Sequence, residues 1–263
     1  MGKVIAIANQ KGGVGKTTTA QHLGVGLARH GHKVLLVDAD SQGSLTACFG
    51  HREQDKLPVS LADVMNMVIE DELITPEHGI IQTVEAVDLM PGNIKLSSME
   101  VNLIQVMSRE YVLSNWIKTV REVYDYIIID ALPSLGMMSI NIFAASDSII
   151  IPAQADFLST IGMTDILKSI GKIRRHINPK LTIEGILLTM VDNRANFTRE
   201  VSHSLREAYG KELRVFETEI PKSVRVAEAS HAGQSLYIYE PRGKVTGAYE
   251  AFVKEVLDHH ETC

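Results

Sequence analysis

Two lysines and three glycines lie within six residues near the start of the chain, directly before three threonines. Residues 9–19 read Asn-Gln-Lys-Gly-Gly-Val-Gly-Lys-Thr-Thr-Thr. Glycines allow successive backbone N–H groups to turn toward one point, where together they can bind the oxygens of an anion. Lysine adds positive charge, and a threonine hydroxyl can bind a divalent cation. This spacing therefore predicts a loop that binds phosphate groups.

The segments on either side of the loop agree with that chemistry. Residues 4–8 are continuously apolar, as a buried strand is, and a helical pattern follows the loop to about Arg29. A strand, a glycine loop and a helix N-terminus in this order can hold a nucleotide's phosphates. Lys16 would then reach the β- and γ-phosphates, and Thr17 would bind Mg²⁺. The phosphate-binding residues are predicted to be Gly12, Gly13, Val14, Gly15, Lys16, Thr17 and Thr18.

The loop departs from the common pattern G-x-x-x-x-G-K-[ST] at two positions. Gln10 stands where that pattern has its first glycine, and Lys11 is an additional lysine. The sequence therefore predicts a variant of the phosphate loop.

Three aspartates follow apolar runs that read as buried strands. Asp38 and Asp40 come after residues 34–37, and Asp130 follows residues 127–129. The carboxyl ends of parallel strands lie at one edge of an open α/β sheet, where ligands bind. Asp130 is expected to hold Mg²⁺ through water. Different roles are expected of Asp38 and Asp40, and Asp38 could instead cap the following helix.

Further apolar runs at residues 149–151, 186–189 and 214–220 alternate with amphipathic stretches. This pattern predicts an α/β fold of the P-loop NTPase type, with three layers, α/β/α, around a mostly parallel twisted sheet. No linker rich in Pro, Gly or Ser divides the chain, so we expect residues 1–263 to form a single domain. Residues 50–80 are expected to form a helical excursion away from the sheet.

Composition excludes several classes of protein. Cys48 and Cys263 form no CxxC pair, which argues against a disulfide framework and against a thiolate metal site. The start of the chain shows no cationic leader, and no apolar stretch approaches the roughly 18 residues that a transmembrane helix needs. We therefore expect a soluble, cytosolic protein. The net charge is −6, so binding to nucleic acid would require a local basic surface.

The phosphate loop resembles the deviant Walker A motif of the ParA/MinD class of ATPases, in which a second lysine, here Lys11, precedes the glycines. The likeness to the ParA/Soj branch continues at residues 89–93, 151–154, 189–194 and 220–229, and so extends over nearly the whole chain. It implies binding of ATP and Mg²⁺. It also implies that Lys11 crosses the interface of an ATP-bound homodimer to reach the partner's nucleotide.

The resemblance also implies roles for the carboxylates and for the second half of the chain. Asp40 would position the attacking water, whereas Asp38 would belong to the surroundings of magnesium and lysine. Family members commonly have Pro where this chain has Ser41, and Cys-Pro where it has Ala131-Leu132. The resemblance places Asp192 and Pro221 beside the adenine, and assigns Arg194 and Arg225 to binding of DNA without sequence preference.

The charge distribution leaves the DNA prediction open. Residues 172–225 contain 11 Lys and Arg against 7 Asp and Glu. Such an excess fits a DNA-facing surface, but it fits ordinary solvated helix faces equally well.

These observations predict a ParA-type ATPase for plasmid or chromosome partition, with Lys11, Lys16 and Asp40 as its catalytic residues. An ATP-bound dimer would bind DNA non-specifically, and a ParB-like centromere-binding protein would stimulate hydrolysis and release. We expect a nucleoid-associated, cytoplasmic protein that does not bind membranes.

Two alternatives keep the same ATPase chemistry. One is the positioning of a protein or organelle cargo, and the other is a MinD-like ATPase that acts at a membrane surface. The second needs a basic amphipathic C-terminal helix, whereas Glu250, Glu255 and Asp258 make this one acidic. Electron transfer or iron–sulfur assembly on the same fold would need cysteines soon after Asp130, and the sole cysteine beyond it is Cys263.

Overall fold

The computed structural model describes residues 1–154, 157–192, 205–207, 209–210 and 213–262, and within these it gives no side-chain description for 157–162 or 261–262. The described strands are β1 (Lys3–Ile7), β2 (Val34–Ala39), β3 (Ile81–Gln82), β4 (Asp88–Met90), β5 (Tyr126–Ala131), β6 (Ser148–Gln154), β7 (Thr182–Val191) and β8 (Val215–Pro221).

The described helices lie mainly between these strands. They are α1 (Lys16–Arg29), α2 (Ser44–Cys48), α3 (Leu61–Ile69), α4 (Lys95–Asn102), α5 (Val112–Val120), α6 (Met137–Ala145), α7 (Phe157–His176), α8 (Arg225–Ala232), α9 (Leu236–Tyr239) and α10 (Lys244–Thr262). Short 3-10 helices span Gln54–Lys56, Leu103–Gln105 and Arg109–Tyr111. No helix in the described part of the chain is long and apolar enough to cross a bilayer.

The eight strands form one sheet in the order β3-β4-β2-β5-β1-β6-β7-β8. All neighbouring strands are parallel except β3 and β4. Alternation along each strand divides its apolar residues between two cores, so that Val4 and Ala6 enter one and Ile5 and Ile7 the other. Because helices cover both faces, the predicted three-layer α/β/α fold is confirmed.

The helices divide between the two faces of the sheet. Helices α3, α4, α5, α6 and α7 contribute buried residues to the core that contains Val4. Helices α1, α9 and α10 contribute to the core that contains Ile5. Chain order changes direction at β1, because β2 lies beyond β5 on one side and β6 lies on the other. Such a switch point opens a crevice at the carboxyl edge of the sheet.

The helices expected within residues 50–80 are present, but the expectation that they lead away from the sheet was wrong. Helix α3, within that segment, buries Leu61, Val64 and Met65 in the core that contains Val4. Their spacing gives the helix one apolar face, which burial against the sheet stabilises. A capping box between Ser60 and Asp63 fixes where the helix begins.

One edge strand is very short, and side chains bind some backbone groups of the other. Strand β3 has only two residues. Within the other edge strand, β8, the backbone N–H groups of Glu217 and Thr218 donate to the carboxylate of Glu255 on α10, at 2.8 and 3.1 Å. The guanidinium of Arg206 donates to the carbonyl oxygen of Val215 at 3.4 Å. Side chains therefore occupy backbone groups of this edge strand.

Candidate functional site

The loop between β1 and α1 has the backbone shape that its glycines predict. Gly13 and Gly15 have φ angles of 72° and 84°, in the left-handed region that favours glycine. A Cβ atom on Gly12 or Gly13 would meet no heavy atom within 4 Å, so these residues face open space. The loop therefore presents its backbone, and not side chains, to an incoming ligand.

The open space beside the loop is a cavity of about 370 Å³, which we call the phosphate cavity. It brings together the glycine loop, the end of β2 and the segment after β5. Its lining residues are Gly12, Gly13, Gly15, Lys16, Thr17, Thr18, Asp40, Ser44, Cys48, Pro133, Met190 and Ser230. The predicted phosphate-binding residues thus lie around one cavity, apart from Val14, which is buried.

Lys16 carries a buried positive charge at this cavity. Its Nζ donates to the carbonyl oxygen of Lys11 at 3.3 Å. Burial lowers the pKa of Lys16, and the negative charges of Asp130 and Asp40 oppose that shift. An anion in the cavity would offset the desolvation of this ammonium group, as a phosphate-binding lysine requires.

Asp130 is a buried carboxylate without a hydrogen-bond donor. It is 1% exposed, and neither of its oxygens has a hydrogen-bond partner in the described chain. Burial raises its pKa well above the usual value, and the charge of Asp38 adds to the rise. The Thr17 hydroxyl and Lys16 lie near enough to oppose it, although the hydroxyl is outside hydrogen-bonding geometry. A cation beside Asp130 and Thr17 would satisfy these orphaned oxygens.

The described residues contain no group of three or more His, Cys, Asp or Glu side chains that could enclose a metal ion. Mg²⁺ bound with a nucleotide needs no such cage, because water and phosphate oxygens supply most of its ligands. One hydroxyl, from Thr17, and one carboxylate, from Asp130, therefore fit a magnesium ion but not a structural zinc or calcium site.

Asp38, which was predicted to lie near the magnesium ion, is held by hydrogen bonds within the chain. Its Oδ2 accepts hydrogen bonds from the backbone N–H and hydroxyl of Thr46, at 2.8 and 2.7 Å. Its Oδ1 accepts one from the backbone N–H of Asp40 at 3.3 Å. The Thr46 hydroxyl in turn accepts from the backbone N–H of Gly92 at 3.0 Å. The carboxylate thus joins β2 to α2 and, through Thr46, to the segment after β4, and these contacts give it a structural part in the site.

Asp40 lies where a carboxylate could act on a ligand. It is half-buried at the rim of the phosphate cavity, and its Oδ1 accepts from the backbone N–H of Gln42 at 3.0 Å. Its carbonyl oxygen accepts from the backbone N–H of Gly43 at 3.0 Å, so the turn closes with Ser41 in place of proline. The second oxygen of Asp40 is thereby left to face solvent or ligand.

Lys11 does not line the phosphate cavity. Its Nζ donates to Oε1 of Gln154 at 3.5 Å, and its backbone N–H donates to Oδ1 of Asn9 at 3.0 Å. Gln154 also donates to the carbonyl oxygen of Gly13 at 3.0 Å. In the single chain the predicted interface lysine is therefore held against the end of β6.

A second cavity, of about 350 Å³, adjoins the first, and we call it the adjoining cavity. It shares Gly15, Thr18, Met190 and Ser230 with the phosphate cavity. The remaining lining residues are mainly apolar: Thr189, Ile220, Pro221, Lys222, Ser223, Val226, Ala227 and Tyr249. Such a wall suits a flat, weakly polar ring.

The two predicted adenine neighbours have different outcomes. Pro221 lines the adjoining cavity, whereas Asp192 is exposed after the end of β7 and lines neither cavity. Met190, which the sequence analysis did not single out, lines both cavities with a φ of 53°. Its neighbour Thr189 donates from Oγ1 to the carbonyl oxygen of Val14 at 2.8 Å. The apolar run at residues 186–189 predicted the strand that leads to Met190. The sequence pattern could not show which side chain of this strand faces the cavities, because that depends on the register of β7.

The predicted DNA contacts are described only in part. Arg194 lies outside the described residues. Arg225 is half-exposed at the start of α8 and pairs with Glu228 at 2.6 Å and with Glu240 at 3.6 Å. Phosphate binding by Arg225 would therefore compete with two carboxylates of the same chain.

Comparison with known proteins gives one consistent family. A family model described as an AAA domain matches residues 2–183. The chain is 40% identical over 261 residues to the sporulation initiation inhibitor protein Soj of Bacillus subtilis, with 97% of this chain and 98% of Soj covered. It is 35% identical over 257 residues to the chromosome partitioning protein ParA of Caulobacter vibrioides, with 97% and 94% covered.

Solved structures agree in fold. A cobyrinic acid a,c-diamide synthase of Mycobacterium smegmatis, with a bound ATP analogue and magnesium, is 34% identical. The two structures superimpose with a TM-score of 0.86, and the match covers 99% of this chain and 96% of the synthase chain. The ATP complex of a Cyanothece McdA variant is 27% identical, with a TM-score of 0.83 and coverage of 98% and 96%.

Proposed function

The chain belongs to the ParA/Soj family of P-loop ATPases, and from this premise we propose that it binds and hydrolyses ATP with Mg²⁺ to drive DNA partition. The observation that carries the proposal is the pair of cavities that meet at Gly15 and Met190. One is built from backbone N–H groups and a buried lysine, and the other from apolar side chains. Together they match the two ends of a nucleoside triphosphate. The similar M. smegmatis protein binds an ATP analogue and magnesium, which supports this assignment.

Each described residue at the cavities has a distinct part in the proposed reaction. The glycine loop and Lys16 bind the phosphates, and the adenine enters the adjoining cavity beside Pro221. Thr17 and Asp130 would hold the magnesium ion, which neutralises phosphate charge when bound. Asp40, at the rim with one oxygen unoccupied, orients the attacking water.

Hydrolysis would depend on a homodimer formed on ATP binding. Phosphoryl transfer is accelerated mainly by positive charge around the γ-phosphate. Lys11 supplies that charge only if it leaves Gln154 of its own chain and reaches the partner's nucleotide. Its position outside the phosphate cavity is consistent with action on the other subunit.

We further propose that the ATP-bound dimer binds DNA without sequence preference, through Arg225 and Arg194, and releases it on hydrolysis. A ParB-like protein bound to the DNA cargo would stimulate that hydrolysis, and the protein would then be cytoplasmic and associated with the nucleoid. The names of the Soj and ParA relatives support this reading, as does the basic excess of residues 172–225.

Three variants test the ATPase proposal. Lys16→Ala should lose binding of a fluorescent ATP analogue. Asp40→Ala should still bind ATP and form a dimer, seen by size-exclusion chromatography, but release phosphate at least about a hundredfold more slowly. Lys11→Ala should bind ATP as a monomer. Hydrolysis by Asp40→Ala at the unmodified rate would contradict the assignment, and Lys33→Ala, at an exposed lysine distant from the cavities, is the control.

DNA binding needs its own experiment. Retention on double-stranded DNA should require ATP and weaken steeply as salt rises. Arg225→Ala should reduce retention, whereas Arg242→Ala, at an exposed arginine after α9, should leave it unchanged. Equal retention with ADP, or none at low salt, would remove DNA from the proposal and leave the ATPase intact.

A further inference from the structure

A groove separate from the nucleotide cavities lies between α6 and α7. Its volume is about 280 Å³, which is slightly below the roughly 300–1,000 Å³ of typical small-molecule pockets. Leu135, Ile140 and Phe143 line one side, and Ile173 and Ile177 line the other. Leu135 is 38% exposed in spite of its apolar side chain. The groove is thus sized and lined for a few inserted apolar side chains.

Basic side chains lie on the α7 side of this groove. Lys172 and His176 lie on its lining. Further exposed cations on α7 or just after it are Lys168, Arg174, Arg175 and Lys180. No ion pair within the described part of the chain involves any of these six residues.

Acidic side chains near the groove are fewer than these basic ones, although Glu100 on α4 lies against Gly136, next to Leu135. Helix α6 has no charged residue, and the acid on α7 is the exposed Asp165. Glu110, just before α5, already pairs with Arg109 at 3.4 Å. By contrast, Arg225 on α8 has two carboxylate partners. A chain of net charge −6 therefore keeps five Lys and Arg side chains without an ion pair in the described residues on and just after the helix that lines this groove.

We propose that this groove is a docking site for an acidic amphipathic helix of a partner protein. The apolar face of such a helix would fill the groove, and its Asp and Glu side chains would meet the cations of α7. Both features of the surface are then used by one ligand.

DNA or a second copy of this chain would match only one of the two features, the apolar groove or the basic side chains. A DNA backbone would meet the cations, but it offers no apolar side chains to the groove. A second copy of this chain offers the acidic helix α10, but its apolar residues, among them Tyr249, Phe252 and Val256, are buried in their own core. An acidic helix with a free apolar face matches the groove and the charges together.

The groove also reaches a segment that borders the nucleotide site. Leu135, on its lining, follows by two residues Pro133, which lines the phosphate cavity. Gly136, the N-cap residue of α6, directly follows Leu135, so the groove and the loop after β5 are continuous in the chain. A helix in the groove would therefore contact the same loop that borders the phosphates. This coupling rests on the proposed function, whereas docking itself does not.

The test uses the full chain and a fluorescent, synthetic amphipathic peptide of leucine and glutamate, with binding followed by anisotropy. The matched peptide has lysine in place of every glutamate. We expect saturable binding of the glutamate peptide only. Lys172→Glu should weaken it about tenfold, and Leu135→Ser should weaken it to a similar extent. Lys254→Glu, at an exposed lysine on the opposite face of the sheet, should change it less than about twofold.

Three outcomes would overturn the proposal. They are no saturable binding, equal binding of the two peptides, and equal weakening by Lys172→Glu and Lys254→Glu. A parallel titration with labelled double-stranded DNA tests DNA as the alternative ligand. If Lys172→Glu weakened DNA binding but not peptide binding, the basic side chains would be assigned to DNA, and the proposal would also be overturned. Failure of the groove and of the proposed function are distinguishable: a chain that hydrolyses ATP but binds no peptide refutes only the groove.

Discussion

Neighbouring strands β2 and β5 each place a buried aspartate at the carboxyl edge of the sheet, and Asp38 and Asp130 are paired in register. Asp38 accepts three hydrogen bonds, two of them from Thr46. Asp130 accepts none within the described chain. The difference comes from the following segments, since α2 brings Thr46 back to Asp38, whereas no side chain in the described residues donates to Asp130.

Asp38 and Asp130 are the same residue type and are equally buried, but they differ in their hydrogen bonds. An unsatisfied buried polar group costs about 1–3 kcal/mol, and a charged one costs more. Because this cost is unrelieved at Asp130 but not at Asp38, we infer that Asp130 is the position where a bound cation would complete the site.

The largest expected effect is on catalysis at Asp130. Asp130→Asn should reduce Mg²⁺-dependent phosphate release by about a hundredfold or more, because the cation loses a carboxylate near its phosphate. Stability without nucleotide should be unchanged or increased, since a buried unpaired carboxylate is removed. Phosphate release and thermal melting measure the two effects, with the exposed Asp165→Asn as control. Full activity in Asp130→Asn would contradict the assignment of Asp130, and not Asp38, to the magnesium ion.

Asp38 should show the opposite behaviour. Asp38→Ala leaves the N–H and hydroxyl of Thr46 buried without an acceptor, and should lower the free energy of unfolding by about 3 kcal/mol. Urea denaturation measures this loss. If the variant kept its stability but lost magnesium dependence, Asp38 would be the cation's residue, and the roles drawn here would be reversed.

A smaller effect should follow from the partner side of the same contact. Thr46→Val removes the hydroxyl that joins Asp38 to Gly92, and should cost about 1–2 kcal/mol in urea denaturation. Thr46→Ser keeps the hydroxyl and should recover most of that loss. Equal losses in the two variants would mean that the methyl group, and not the hydrogen bonds, stabilises this contact.

The smallest expected effect is in the pH dependence of stability. Burial raises the pKa of Asp38 to about 6, and raises that of Asp130 well above its usual value. Above the unfolded pKa of about 4, the folded chain therefore retains protons that the unfolded chain has lost. Stability from these groups consequently falls as pH rises from about 4 through the raised pKa values.

Asp130→Asn should reduce this fall by about 1 kcal/mol, measured as the change in unfolding free energy between mildly acidic and neutral pH. The exposed Asp165→Asn should reproduce the unmodified profile. A profile for Asp130→Asn identical to that of the unmodified chain would show that Asp130 is not the group that retains a proton.

The sequence sufficed for the parts of the site that local patterns determine. The apolar runs located the buried strands, and the glycine spacing located the loop and helix α1 as far as Arg29. Asp130 was identified because an aspartate after a buried strand must lie at the carboxyl edge of a parallel sheet. These features depend on neighbouring residues in the chain, so they can be read without a structure.

Features that depend on distant contacts could not be read in this way. The acceptor role of Asp38 depends on where α2 places Thr46, and the approach of Met190 to both cavities depends on the register of β7. Strands β3 and β4 are two and three residues long, too short to show a periodicity. The pairing of Arg225 with Glu240 joins residues that charge counting treats as independent.

The occupied edges of the sheet have a consequence for the behaviour of many copies together. An exposed edge strand is a template on which other chains can add strands and aggregate. Here β3 offers two residues, and Glu255 already accepts the N–H groups of Glu217 and Thr218 beside β8. Copies held close together on one DNA molecule would therefore find fewer free backbone N–H groups at these edges, which disfavours strand addition between them.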